Sequence, residues 1–190
     1  RSVAEIVAAA EGWVAPAVNL TVADAHGVAL QLAGRVPLRD AGHETVGRMP
    51  SAGWKARNRW QGMAPFSDNP RVVDPATGTV ANTNDRTVTR DFPHHVSFDW
   101  GDTARGPRLR ALLSGTPRLS AEDFAAMQRD AVDGPAARLV PLLLAHAGTA
   151  DGAAGAAQAA LAAWDGAMAA DRSEPLIYAA WLRALQDRLV

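Results

Sequence analysis

The first apolar positions of the chain follow a helical spacing. Ser2 and Glu5 stand three apart, as in a capping box whose hydroxyl and carboxylate satisfy orphan backbone donors. Ile6, Ala9 and Ala10 follow on one face, and the helix is expected to end near Gly12. From Val18 the period changes to two. Val18, Leu20 and Val22 alternate with Asn19, Thr21 and Ala23. The turn "DAHG" follows, and Val28, Leu30 and Leu32 repeat the alternation. This pattern predicts a β-hairpin.

Residues 36–78 have no clear period and are punctuated by Pro37, Pro50, Pro65, Pro70 and Pro75. Structureless connections of that length are uncommon unless functional. Trp54, Trp60 and Phe66 give the segment too much apolar surface for a disordered linker. It reads as an ordered wrapping loop that packs its aromatics on the domain. "DPATG" then turns the chain into a short β-prone run, "TVANTN". Its end, "NTND", reads on its own as a polar turn, which Asn and Asp commonly form; as a strand, the run carries Val80, Asn82 and Asn84 on one face.

From about residue 100 the spacing is helical. Pro107 suits a first helical position, before Leu109, Leu112 and Leu113. Ser120 and Asp123 form another cap, opening "AEDFAAMQRDAV". Pro135 opens "AARLVPLLLAHA", with a kink expected at Pro141. "GAAQAALAAWDGAMAA" is helical by propensity. In the last segment Leu176, Ala179, Ala180, Leu182 and Leu185 form an apolar stripe. The order is helix, hairpin, long loop, strand and several helices, an α+β arrangement. It reads as a single fragment over 1–190, with helix, strands and loop in 1–99 and helices in 100–190.

Composition narrows the function classes. The net charge of -1 gives no global field for nucleic acid or anionic membrane. Cysteine is absent, which excludes disulfides, thiolate metal sites and a cysteine nucleophile. No stretch reaches the roughly 18 apolar residues of a membrane helix. The opening "RSVAEIV" has no signal-peptide pattern and no initiator Met, so a processed or excised piece of something longer is expected.

Candidate chemistry is sparse. "GWKARNRWQG" interleaves Lys55, Arg57 and Arg59 with Trp54 and Trp60, as a single-strand nucleic-acid surface does. The near-neutral charge favours buried tryptophans and solvated basic groups instead. His94 and His95 are adjacent, and neighbours on an extended segment point apart rather than chelate. His26 sits in a turn; His43 and His146 have no evident partners. Asp99 and Asp102 could serve as acid and base, but acids before a helix also suit its dipole. Ser2 follows Arg1 and reads as a cap rather than an N-terminal nucleophile. There is no G-x-S-x-G elbow, phosphate loop or dinucleotide fingerprint. Amide and guanidinium groups are available to stabilise charge; no nucleophile or base is present to create it.

The order of the segments resembles one family. "VNLTVADAHGVALQLAGRVPLR" is similar to a strand pair followed by G-x-x-P-x-R. "GWKARNRWQGMAPFSDNPRVVDPATGTVANTND" is similar to W-x-G-x-x-P-F, then N-P, then G-x-(V/I)-x-x-x-N. "FDWGDTARGPRLRALL", "LSAEDFAAMQRDAV", "ARLVPLLLA", "WDGAMAAD" and "IYAAWLRAL" follow in the same order. These landmarks resemble the penicillin amidase (penicillin acylase) family of N-terminal nucleophile (Ntn) hydrolases, across essentially the whole chain.

The resemblance implies more than composition can. Such enzymes are precursors cut into a small and a large subunit, fold as an αββα sandwich, and hydrolyse N-acyl amides. Their substrates include β-lactam side chains and acyl-homoserine lactones. The large subunit begins with a Ser whose own amine is the base. By resemblance, Asn84 is the oxyanion donor, Arg105 supports the catalytic centre, and Val18 lines the acyl pocket. The nucleophile is expected upstream of Arg1, so this chain is an internal fragment of a large subunit and is expected to be inactive alone. Its implied partners are the remainder of the large subunit, the small subunit and an N-acyl substrate, with self-association possible through open strand edges. No cofactor or metal is expected. Some relatives bind a structural calcium, but "HHVSF" after Pro93 offers no carboxylate until Asp99. Export to the periplasm is implied. The competing reading is a non-catalytic interaction or scaffold domain built on the acylase fold.

Overall fold

Ser2 starts the first helix, α1 (Val3–Ala9), by the expected capping box. Its Oγ accepts the Glu5 N–H at 3.3 Å, and the Glu5 carboxylate accepts the Ser2 N–H at 2.7 Å. A tighter turn, Ala10–Gly12, ends the helix at the predicted glycine. In this computed structural model the described residues are 2–101, 104–115 and 118–189. They fall into two compact units, Arg1–Asp102 and Thr103–Val190.

In the first unit, β1 (Val18–Ala23) and β2 (Val28–Ala33) form the predicted hairpin, in register from Val18 opposite Ala33 to Ala23 opposite Val28. Asp24 fixes its turn. Oδ1 accepts from the His26 and Gly27 N–H groups, and Oδ2 accepts from Val3 at the start of α1. These bonds, with Val3 the largest contributor, hold the carboxyl below its usual range. The third strand, β5 (Arg71–Val73), pairs antiparallel with the other edge of β2. β2 is therefore central, and its residues from Ala29 to Ala33 are all buried. α1 covers one face through Val3, Ile6 and Val7 against Leu20, Val22 and Ala29. A separate cluster gathers Leu32, Val36 and Ala64 with Leu38 and Val96. A second sheet pairs β3 (Pro37–Arg39) with β4 (Trp60–Met63).

Two expectations for the first unit are corrected. The long connection is ordered, but not by its tryptophans: Trp54 is 81% exposed and Trp60 61% exposed. Buried polar side chains tie it down instead. His43 Nδ1 accepts from the Thr45 and Val46 N–H groups at 3.2 and 3.0 Å. Buried Asn58 accepts from the Glu44 N–H and donates to the Glu44 carboxylate and Ala52 O. Glu44 also receives Lys55 Nζ at 2.6 Å and Arg57 at 2.5 Å. Lys55, then Asn58, then Arg57 draw its carboxyl down to about 2. Asn69 donates to Leu32 O and Gly34 O, while Pro70 O accepts the Leu32 N–H.

The other correction concerns "TVANTN", which is not a strand. The local pairing partner of β2 is "RVV" before the turn, and residues 79–84 lie outside any strand. Asn84 has φ +63°, which a strand cannot contain.

The second unit is helical: α2 (Arg105–Leu113), α3 (Ala121–Gln128), α4 (Gly134–His146), α5 (Gly152–Ala162) and α6 (Glu174–Leu189). Pro107 is the third residue of α2 rather than the first. It is still in the turn whose N–H groups lack intrahelical acceptors. Ser120 and Asp123 form the predicted capping box, and Asp133 caps α4 through the Ala136 N–H. Pro141 lies inside α4. The Ala-rich helix stops at Ala162, because Ala167 bridges to Val132 and Trp164 Nε1 donates to Ala167 O. Ala136, Val140, Leu161 and Tyr178 form the core, flanked by Leu139, Trp164, Ile177, Trp181 and Leu182. The α6 stripe is thus rotated from the expected one. Leu176, Ala179 and Ala180 are exposed, because Tyr178 and Trp181 bring more apolar area inward. Arg108 grips Asp130 with two bonds of 2.8 and 2.7 Å.

Candidate active site

Asn84 stands where two short polar interactions override a β-prone sequence. Asn82 Oδ1 accepts the Asn84 N–H at 3.1 Å, an Asx turn spanning two residues. Asp85 Oδ1 accepts the Thr83 N–H from the opposite direction along the chain, at 3.3 Å. Such side-chain acceptors compete with ladder pairing for the backbone donors. On its other side, Asn84 O accepts the Gly101 N–H at 2.6 Å. Both polar backbone groups of Asn84 are therefore held while its residue surface stays exposed. Asn tolerates the left-handed backbone that this geometry imposes. Gly101 is required by closeness: an added Cβ would lie 2.7 Å from Asn84 O and 2.9 Å from Asn84 Cβ.

The loop is joined to the hairpin through Asn19. Its Nδ2 donates to Asn82 Oδ1 at 3.0 Å. Asn82 Nδ2 is buried and has no hydrogen-bond partner among the described residues. Strand alternation puts Asn19 on the face opposite Val18, Leu20 and Val22. Val18, 38% exposed at the start of β1, therefore shares the α1 face of the sheet. Among the three site residues expected from sequence, Asn84 and Val18 belong to the first unit and Arg105 to the second. Arg105 is the first residue of α2, where a cation opposes the helix dipole. Its N-cap is Ala104, which has no side-chain oxygen.

Other candidates resolve into local structure. Lys55 and Arg57 both reach the Glu44 carboxylate yet stay exposed, as expected of solvated basic groups, while the tryptophans beside them are exposed rather than buried. His94 Nε2 lies 3.2 Å from Asp68 Oδ2. His95 packs on Phe98 at 4.2 Å between ring centres. Burial, with Arg39 nearby, pushes the His95 imidazole below its ordinary range. Asp99 meets Arg48 at 3.4 Å, and Asp102 lies outside the described residues. No group of three or more His, Cys, Asp or Glu side chains able to hold a metal occurs among the described residues. Sequence reasoning missed Asn19, His43, Asn58, Asn69 and Gly101. The N-P landmark was the visible signal for Asn69; Asn19 offered only a polar place in a strand.

The penicillin amidase family model matches residues 1–190. The chain belongs to the penicillin amidase family. It is 31% identical over all 190 residues to the penicillin acylase 2 proenzyme of Pseudomonas sp. (strain SE83), spanning 24% of that protein. It is 36% identical over 123 residues to the acyl-homoserine lactone acylase QuiP of Pseudomonas fluorescens (strain Pf0-1). That match covers 65% of this chain and 15% of the relative. In fold, it superposes on a thermostable penicillin G acylase from Alcaligenes faecalis with a TM-score of 0.68 at 21% identity. There it covers 91% of this chain and 31% of that one. This penicillin amidase chain thus has mixed helix and sheet in the Ntn-hydrolase fold, and spans about a quarter of the proenzyme it matches.

Proposed function

We propose that this chain is a section of the large subunit of an acylase that hydrolyses N-acyl amides. Asn84 donates its side-chain N–H to the oxyanion of the tetrahedral intermediate. An amide donor is neutral and holds charge without a change of protonation. Arg105 supports the catalytic centre as a cation, and Val18 contributes apolar surface to the acyl pocket. The nucleophilic Ser, its amine base and the other oxyanion donor come from sequence outside these 190 residues, so the isolated chain turns over nothing. The remainder of the large subunit and the small subunit complete the fold, and the assembled enzyme is exported to the periplasm.

One observation carries this reading: Asn84 is exposed in a left-handed conformation with its own N–H and C=O both fixed. An oxyanion donor requires such preorganisation, because it must be in place before charge develops. The test uses the full-length precursor that carries this chain. Asn84→Ala is expected to lower kcat by about 10²–10³ with little change in KM. Asn84→Gly, which keeps the backbone free of strain, is expected to fall equally. A variant that loses only binding removes Asn84 from this role; turnover of a chromogenic N-acyl amide by the isolated chain overturns instead the expectation that it is inactive alone.

A further inference from the structure

We infer that Asn82 is the positioning residue for Asn84, and that Asn19 anchors it to β1. The inference rests on the oxyanion reading of Asn84. Its basis is a three-residue relay. Asn19 Nδ2 donates to Asn82 Oδ1 at 3.0 Å, and the same oxygen accepts the Asn84 N–H at 3.1 Å. A backbone N–H can only donate, so the Asn82 side-chain orientation is fixed by its partners. The carbonyl oxygen has two lone pairs, and both are used.

The relay supplies what the Asn84 loop lacks. Residues 79–84 belong to no strand, so no ladder holds them in register. β1 is held along its whole length by β2, which is buried in the middle of its sheet. Asn19 stands opposite Leu32 in that pair. The rigid sheet is therefore transmitted to Asn84 through one carbonyl oxygen. Gly101 holds the other side of the same residue. Release of either hold lets the Asn84 peptide rotate, and a misplacement of about 1 Å can cost about 10²-fold in rate.

The relay also separates the roles of two neighbouring amides. On this inference Asn82 is a positioning residue and not a donor to the oxyanion. It acts through the backbone of Asn84, so its loss is felt in turnover and not in substrate affinity.

The test is made in the full-length precursor, with Asn84→Gly as the reference variant. Asn82→Leu keeps the side-chain volume and removes the acceptor; it is expected to lower kcat about 10- to 100-fold with KM nearly unchanged. Asn82→Ser keeps a hydroxyl that can accept from the residue two positions on, and is expected to recover part of that loss. Asn19→Leu is expected to lower kcat less than Asn82→Leu. The double Leu variant should be no worse than Asn82→Leu alone, since one relay is broken in both. If Asn82→Leu does not fold, Asn82→Ser, Asn19→Leu and their double variant carry the same comparison. A large effect of Asn84→Gly with kcat intact in the Asn82 and Asn19 variants overturns the relay and leaves the oxyanion role standing. Equal losses in Asn82→Leu and Asn82→Ser that track melting temperature also overturn it. No effect of Asn84→Gly overturns both readings.

Discussion

Asn69 offers a direct measurement of how the long connection is held. Its side chain is 4% exposed and donates to Leu32 O at 3.0 Å and Gly34 O at 2.8 Å. Leu32 O also accepts from Gln31 Nε2 at 2.9 Å, so Gly34 O is the acceptor with more to lose. Asn69→Ala removes two neutral hydrogen bonds at about 1 kcal/mol each and leaves a buried carbonyl poorly satisfied. The expected loss is about 2–3 kcal/mol. For a unit near 100 residues, that lowers Tm by about 10–20 °C. Asn69→Asp is the sharper perturbation. It places a carboxylate oxygen against two carbonyl oxygens, so the folded state disfavours the charged form and raises its pKa. A raised carboxyl pKa gives stability that is present below the unfolded value, near 3.9, and lost as pH rises through the folded value. Asn69→Asp is therefore expected to be worse than Asn69→Ala at pH 7 and to recover toward pH 3.5. Thermal melts followed by circular dichroism at several pH values provide the assay. An Asp variant as stable as the original chain at pH 7 refutes the account.

Two further outcomes are expected. Gly101→Ala should displace Asn84, because the new methyl meets Asn84 backbone and Cβ at under 3 Å; kcat of the full-length enzyme should fall at least tenfold, and an unchanged kcat argues that the contact is slack. Arg108, by its hydrogen bonds, depresses the Asp130 carboxyl. Its stabilising effect is thus present above the unfolded pKa and lost as pH falls through the folded value. Asp130→Asn should melt several degrees lower at pH 7 and show no deficit well below pH 3; a gap independent of pH counts against the ion pair.

Local signals were legible where a single rule governed the backbone. Ser2 with Glu5 and Ser120 with Asp123 gave capping boxes because three-residue spacing alone satisfies the helix-end donors. The hairpin followed from alternation around Asp24–Gly27. The loop's tryptophans mislead because apolar content does not by itself mean burial. Asn69 tethers the loop to Leu32 and Gly34, 37 and 35 residues away, while His43 and Asn58 tie it internally. "TVANTN" misled because its β-prone residues compete with two acceptors, Asn82 and Asp85, placed two residues before or after the donors they capture. The α6 stripe was rotated because alanines count as apolar but bury little area beside Tyr178 and Trp181. Asn84 itself was visible only through the order of landmarks around it; Asn19, 63 residues from Asn82 in sequence, carried no local mark.

The positive φ of Asn84 makes position 84 answer to two separate selections. A saturation library screened only for folding should retain Gly, Asn and Asp there, because these residues enter the left-handed region at least cost. The same library screened for turnover should collapse to Asn, the one member of that set whose side chain donates a neutral N–H. Residues rejected by the first screen report on the backbone, and those rejected only by the second report on the chemistry.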